Sequence, residues 1–325
     1  MKKVIFTYKD ISAHRSEIMG WSILWIMMLH FTFQQIKPLG FIAQYGFAGV
    51  DIFLFVSGFG LFFSLDKNTD LISFYRKRLF RIFPTYFIVG IFASIFLFHD
   101  SLFTYIFRYT TIGYWIGSVY WEWYIPTLVV LYLFAPLFKK MLDRKMFYVF
   151  FSLAISSFVG SLIIIDKDII DREHFFSLYR IPAFLWGMIC AYWYKDNIPT
   201  KYFFFFLILG IPFFIIFYPN HHLEYNYKYF SLIFLLPSFV LIFVLISKIS
   251  FLKISNCITS IGQSSLEIYL IQSILFSATL QGIITVPPKW HDTLTIILIT
   301  TSSLLGIFVH RLINRNGSSH KTYNH

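Results

Sequence analysis

A chain of 325 residues that is 57% hydrophobic and only 13% charged, with a mean hydropathy of +0.67, is too apolar to fold as a soluble globule and reads as a polytopic membrane protein. Its net charge of +11 lies in short segments between apolar runs, with no basic face interleaved with aromatics, which argues against nucleic acid as a partner. Cys190 and Cys257 both fall in or beside apolar runs, and the ten histidines form no HExxH or Cys/His cluster, so neither a disulfide framework nor a metal is expected.

Apolar windows predict an all-α bundle of ten spans, at 17–35, 41–65, 82–98, 123–138, 146–165, 179–194, 202–218, 229–247, 262–282 and 293–310. Residues 1–313 read as one membrane domain and 314–325 as a disordered cytoplasmic tail. The first span is too long for a signal-peptide core and lacks a small-x-small cleavage site, so it reads as a retained helix. Within it, His30 lies fifteen residues beyond Arg15, or roughly 22 Å at the helical rise, in the outer third of the membrane. A neutral histidine there suits a general base, and a structural bond to a neighbouring helix suits it equally.

The second span carries Asp51 inside an apolar run, about ten residues from its start. An ionisable group at such depth is a functional-site candidate. The short connection QQIKPL predicts that the first two helices are neighbours, so an Asp51–His30 pair is expected, with the carboxylate orienting the imidazole; a brace near Gly49 is the other reading. Ser57, Gly58 and Gly60 form a small-residue seam for a close neighbour. Arg76, Lys77, Arg78 and Arg81 follow, and Pro84 is expected to restrict the helix start, leaving these cations in the first turn or just before it. Arg78 and Arg81, three apart, make a fork for phosphate if helical, or an ordinary basic anchor.

Residues 99–122, aromatic and semi-polar, read as re-entrant or interfacial. Arg180 opens a span from the outer side, where it binds an acceptor or snorkels to headgroups. Ser265 and Tyr269 share a helical face, for a substrate hydrogen bond or a helix seam. Glu267 points elsewhere on that helix, near the inner interface. With the N-terminus inside, every lysine and arginine except Lys37, Arg108, Lys167, Arg172, Arg180, Lys228 and Lys289 falls in an inner segment, which places both termini in the cytoplasm.

The blocks Arg15-Ser-Glu17 to His30, Gly49-Val-Asp51 with Ser57-Gly58, Phe74-Tyr-Arg76-Lys-Arg78-Leu-Phe-Arg81-Ile-Phe-Pro84, Trp123-Tyr-Ile-Pro126, Arg180-Ile-Pro-Ala-Phe184 and Gly262-Gln-Ser-Ser265-Leu-Glu-Ile-Tyr269, in this order, resemble the acyltransferase-3 family of membrane O-acyltransferases. The resemblance implies an integral membrane enzyme that moves an acyl group, commonly acetyl from acetyl-CoA, to a hydroxyl of an envelope or capsular polysaccharide or its precursor. It implies acyl-CoA as a donor substrate with no permanently bound cofactor, and a multi-pass place in a bacterial inner membrane in contact with lipid. It makes His30 the catalytic residue, with Asp51 and Glu122 beside it. Arg78 and Arg81 match the family's acyl-CoA side; beside the resemblance, Arg15 and Arg76 are read as joining them and Arg180, Ser265 and Tyr269 as the acceptor site. Three features depart from the pattern: the fourth block varies, and Glu122 within it takes the part of an outer-face carboxylate or is an incidental acid in an aromatic belt. Met19 stands where members often carry a cation, which leaves that role to Arg15. Gln272 stands where they often carry a second histidine, so that role is absent or taken by an amide. The rival reading is a transporter or flippase using Asp51, His30 and Arg180 as a path without covalent chemistry; the chain shows no inverted repeat to favour it.

Overall fold

The structure is a computed structural model that describes residues 6–67, 70–116, 123–144, 146, 172–201, 203–204, 208, 225–249, 252–285 and 288–318. Among them every regular element is a helix. Thr7 opens α1 (Tyr8–Ala13), its N–H donating to the Asp10 carboxylate at 2.7 Å. Helix α2 (Arg15–Phe31) follows and ends where Thr32 turns to a φ of 53°.

The span expected at 41–65 is corrected: α3 (Lys37–Ala43) is separate, and α4 (Ala48–Lys67) begins only after a turn. That turn is pinned to α2. Trp25 Nε1 donates to Ile42 O at 2.8 Å, and a Cβ on Gly46 would collide with Trp25 O. Asp51 therefore sits in the first turn of α4 rather than ten residues deep, where the partial positive charge of a helix N-terminus favours a carboxylate.

Helix α5 (Leu71–Ala93) starts before the window expected at 82. Asp70 caps it, accepting the N–H of Ile72 at 3.0 Å and of Ser73 at 3.1 Å. The helix runs through Pro84, so Arg76, Arg78 and Arg81 belong to formed turns and not to the approach to a helix, which corrects the expected start. A π turn, Ser94–Phe98, closes it. Helices α6 (Leu102–Tyr109) and α7 (Ile112–Trp115) are both too short to span. Arg108 grips Asp100 through two 3.0 Å bonds at their base, while Leu102 and Phe103 are exposed and Tyr109 is buried. Two short helices fit a segment that is either re-entrant or interfacial; residues 117–122 lie outside the described residues.

The remaining helices are α8 (Tyr124–Asp143), α9 (Arg172–Lys195), α10 (Tyr225–Ile249), α11 (Leu252–Gln263), α12 (Ser265–Leu280) and α13 (His291–Ser318). The window expected at 262–282 breaks at Ser264, between α11 and α12, and α13 continues past the boundary expected for the tail at 314. The spans expected at 146–165 and 202–218 lie almost wholly outside the described residues. Among the described residues, four stretches are long and apolar enough to cross a membrane: Ala48–Lys67, Leu71–Phe98, Tyr124–Asp143 and Pro288–Asn314.

Helix α2 is central, packing against α4, α10, α11, α12 and α13, while α4 lies between α2 and α9. Glycines set both close crossings. A Cβ on Gly58 would strike Phe184 O and one on Gly187 would strike Phe55 O, so α4 and α9 meet backbone to backbone; Gly20 against Ile258 O and Gly262 against Ser16 O do the same for α2 and α11. The seam expected at Ser57, Gly58 and Gly60 is therefore present through Gly58.

Candidate active site

A cavity of about 380 Å³ opens between α2, α4, α5, α8 and α12, within the usual range of roughly 300–1,000 Å³ for ligand sites. Arg15 reaches it from the first turn of α2, and Arg78 and Arg81 reach it from successive turns of α5. The Arg15 guanidinium passes the bare face of Gly60 at 3.6–3.8 Å from where a Cβ would stand, and among the described residues it takes no hydrogen-bond or ion-pair partner. Arg78 donates to Ser64 Oγ at 2.7 Å, and its buried Nε is without a partner. Arg81 donates to Glu267 Oε1 at 2.6 Å and to Gln263 O at 3.3 Å. Glu267 offsets the charge of Arg81, while Arg15 and Arg78 bring theirs into the cavity with no carboxylate partner among the described residues. Arg76, exposed and stacked on Phe80, faces away from this cavity.

Beyond the arginines the walls turn apolar and aromatic: Met19, Phe53, Ile82, Leu128, Tyr124 and Tyr269. Tyr124 and Tyr269 meet edge to face at 5.0 Å. Ser265 and Tyr269 both line this cavity, so the grouping with Arg180 expected from the sequence is split.

Along α12, one turn beyond Tyr269, lies Gln272. It is fully buried, and its Oε1 is 2.7 Å from His30 Nδ1. The His30 ring also stacks on Phe276 of the same helix at 4.6 Å. The expected Asp51–His30 pair does not form. Asp51 instead bonds the Arg180 guanidinium, which also donates to Phe47 O and lies over the Trp123 ring. The cause is the late start of α4, which leaves Asp51 at its N-terminal end facing α9. Arg180 is 3% exposed and so does not snorkel. Near it, Thr127 donates to Ser177 Oγ at 2.7 Å and Tyr114 shares a 2.5 Å bond with the same hydroxyl. Glu122 lies outside the described residues.

The stretch after His30 is fixed from α13. Asp292 accepts the N–H groups of Gln34, Gln35 and Ile36 at 2.8, 3.0 and 2.8 Å, and Thr295 donates to the Phe31 and Thr32 carbonyls. Sequence reasoning gave no role to Asp292, Thr295 or His310 and left Glu267 at the inner interface. Glu267 is fully buried and shared between Arg81 and His310, the latter at 3.2 Å, and His310 lines the cavity. The available signal was that Glu267 is a carboxylate inside an apolar helix; nothing local marks His310, whose partner is on another helix.

The model of a family described as Acyltransferase domain, acyltransferase 3, matches residues 20–312. A viral protein named "Putative acetyltransferase ORF330", from Acidianus two-tailed virus, is 29% identical over 202 residues, covering 58% of this chain and 60% of that relative. The match thus spans about 60% of the relative's length. No solved structure matches the chain.

Proposed function

The chain belongs to the acyltransferase-3 family, and from that premise we propose that it is a membrane O-acyltransferase taking acetyl from acetyl-CoA to a hydroxyl of a cell-envelope or capsular polysaccharide or its precursor. The observation that carries this reading is the convergence of Arg15, Arg78 and Arg81 on one cavity with an apolar, aromatic continuation. Guanidiniums suit phosphates, which they hold through charged, often bidentate bonds. In the proposed reaction the CoA phosphates rest on these arginines at the cytoplasmic side. The pantetheine arm runs along Met19 and Ile82, past Tyr124 and Tyr269, toward His30. There His30 Nε2 takes the proton of the acceptor hydroxyl and the oxygen attacks the thioester carbonyl carbon. The C–S bond breaks, and the departing thiolate receives the proton from the imidazolium. Both termini lie in the cytoplasm in this reading, in a bacterial inner membrane. The transporter reading loses the path it needs, because Asp51 and Arg180 are spent on each other.

Two measurements test it. Envelope polysaccharide from cells carrying wild type, His30→Ala or no copy is compared by mass spectrometry at matched protein levels; an acetyl increment with the wild type alone is expected, and equal increments in all three overturn the reading. Calorimetry of CoA with purified protein is expected to show binding that Arg15→Gln or Arg78→Gln weakens by about 1.5–3 kcal/mol, roughly 10- to 150-fold, the value of a charged hydrogen bond. Unchanged affinity in both variants removes the cavity from the donor site.

A further inference from the structure

We propose that Gln272 is a positioning residue that holds His30 as the Nδ1–H tautomer and leaves the lone pair on Nε2; its catalytic meaning rests on the acyl-transfer reading, although the tautomer itself does not.

The argument is a count of hydrogens along one buried chain. Ser273 Oγ lies 2.8 Å from Tyr269 O, a carbonyl that can only accept, so the single hydroxyl hydrogen of Ser273 is committed there. Ser273 Oγ can then only accept from the amide of Gln272, which is 3.2 Å away. The amide atom facing Ser273 must be Nε2, with its hydrogens, and the atom facing His30 must be Oε1. An amide oxygen accepts and never donates. The ring nitrogen 2.7 Å from it, Nδ1, therefore carries the proton, and the lone pair of the neutral imidazole is on Nε2. Gln272 and Ser273 are buried, so no competing donor from solvent reverses the chain.

Other groups near this end of α2 are engaged elsewhere. Asp51 is on Arg180, and Asp292 accepts three backbone N–H groups and has His291 beside it. The orienting role expected of a carboxylate falls to a neutral amide, and Phe276 fixes the ring plane from one turn further along the same helix. One helix thus sets both the tautomer and the tilt of the base. Gln272 touches no reacting atom; it acts through His30.

The test reads the tautomer directly. Protein labelled with ¹⁵N-histidine, in detergent micelles at a pH where the ring is neutral, is compared with His30→Ala to assign the His30 nitrogens. The expected wild-type spectrum shows Nδ1 protonated and Nε2 bare. Gln272→Leu, which keeps the volume but has no acceptor, is expected to give mixed tautomers, and Gln272→Glu, whose carboxylate still accepts, to keep the wild-type pattern. A wild-type His30 protonated on Nε2, or a Gln272→Leu spectrum like the wild type, overturns the proposal. If the Leu variant does not accumulate, the wild-type spectrum alone decides.

In cells, at matched protein levels, Gln272→Leu is expected to lower polysaccharide O-acetylation on the order of 10- to 100-fold, part of what a positioned base contributes, with Gln272→Glu restoring most of it. Full acetylation in Gln272→Leu overturns the catalytic part. Should His30→Ala retain full acetylation, the functional reading fails while the spectrum still decides the tautomer.

Discussion

Asp51 and Arg180 are 5% and 3% exposed and face each other across α4 and α9. Such a pair adds little over a well-packed apolar one, but removal of one partner strands the other charge, at a cost of about 3–5 kcal/mol. Asp51→Asn is therefore expected to lower the thermal midpoint in detergent sharply, and the double replacement Asp51→Leu with Arg180→Met to recover most of the loss. A wild-type midpoint for Asp51→Asn would show that the pair does not support the fold. The sequence marked both residues as unusual, since charges in apolar runs are costly, but it joined Asp51 to His30. Chain proximity favoured that pairing, whereas the partner actually bonded is 129 positions away. His30 fared differently: the amide at Gln272 was legible as a departure from a pattern, and its destination was not.

Among the helices, α4 and α9 approach so closely that Gly58 and Gly187 have no room for a methyl group. Gly187→Ala places its Cβ against Phe55 O, a backbone atom that cannot rotate away, and overpacking of this kind costs about 1–3 kcal/mol or more. Gly60→Ala, by contrast, meets only the Arg15 guanidinium at 3.6 Å, an ordinary contact. Thermal unfolding in detergent is expected to separate the two, with Gly187→Ala markedly less stable and Gly60→Ala close to wild type. Helix α1 offers a pH test. Burial alone would push the Asp10 carboxyl up, but bonds from Lys248 and from the Thr7 N–H and hydroxyl outweigh it and hold the group below its ordinary value. A carboxyl depressed on folding contributes stability above its unfolded pKa of about 3.9, and that contribution disappears as pH falls through the lower folded value. The midpoint difference between wild type and Asp10→Asn should accordingly be full near neutral pH and shrink below about pH 4; a difference independent of pH would mean that the Asp10–Lys248 contact does not couple to folding.

For the whole molecule, the proposed orientation makes an independent prediction. Cys257, exposed on α11, belongs to the inner side, whereas Cys190 is buried in α9. A membrane-impermeant maleimide is expected to label Cys257 in permeabilised cells but not in intact ones; labelling in intact cells would invert the topology. Membrane character and an all-helical fold were legible from the chain itself, because apolar length, helical period and the rarity of charge in hydrocarbon are local properties, and the same rarity nominated His30, Arg78 and Arg81 as candidates. Where helices start was less legible: α4 begins late because Gly46 docks on Trp25, and α5 begins early because Asp70 caps it. Pairing was decided only by tertiary structure. Buried donors and acceptors must be satisfied by whichever groups the packing brings within reach, and glycine contacts between α4 and α9 and between α2 and α11 set that packing. Composition thus fixed the solvent in which this protein folds, while the crossing of its helices chose Gln272 for His30, Arg180 for Asp51 and Glu267 for Arg81.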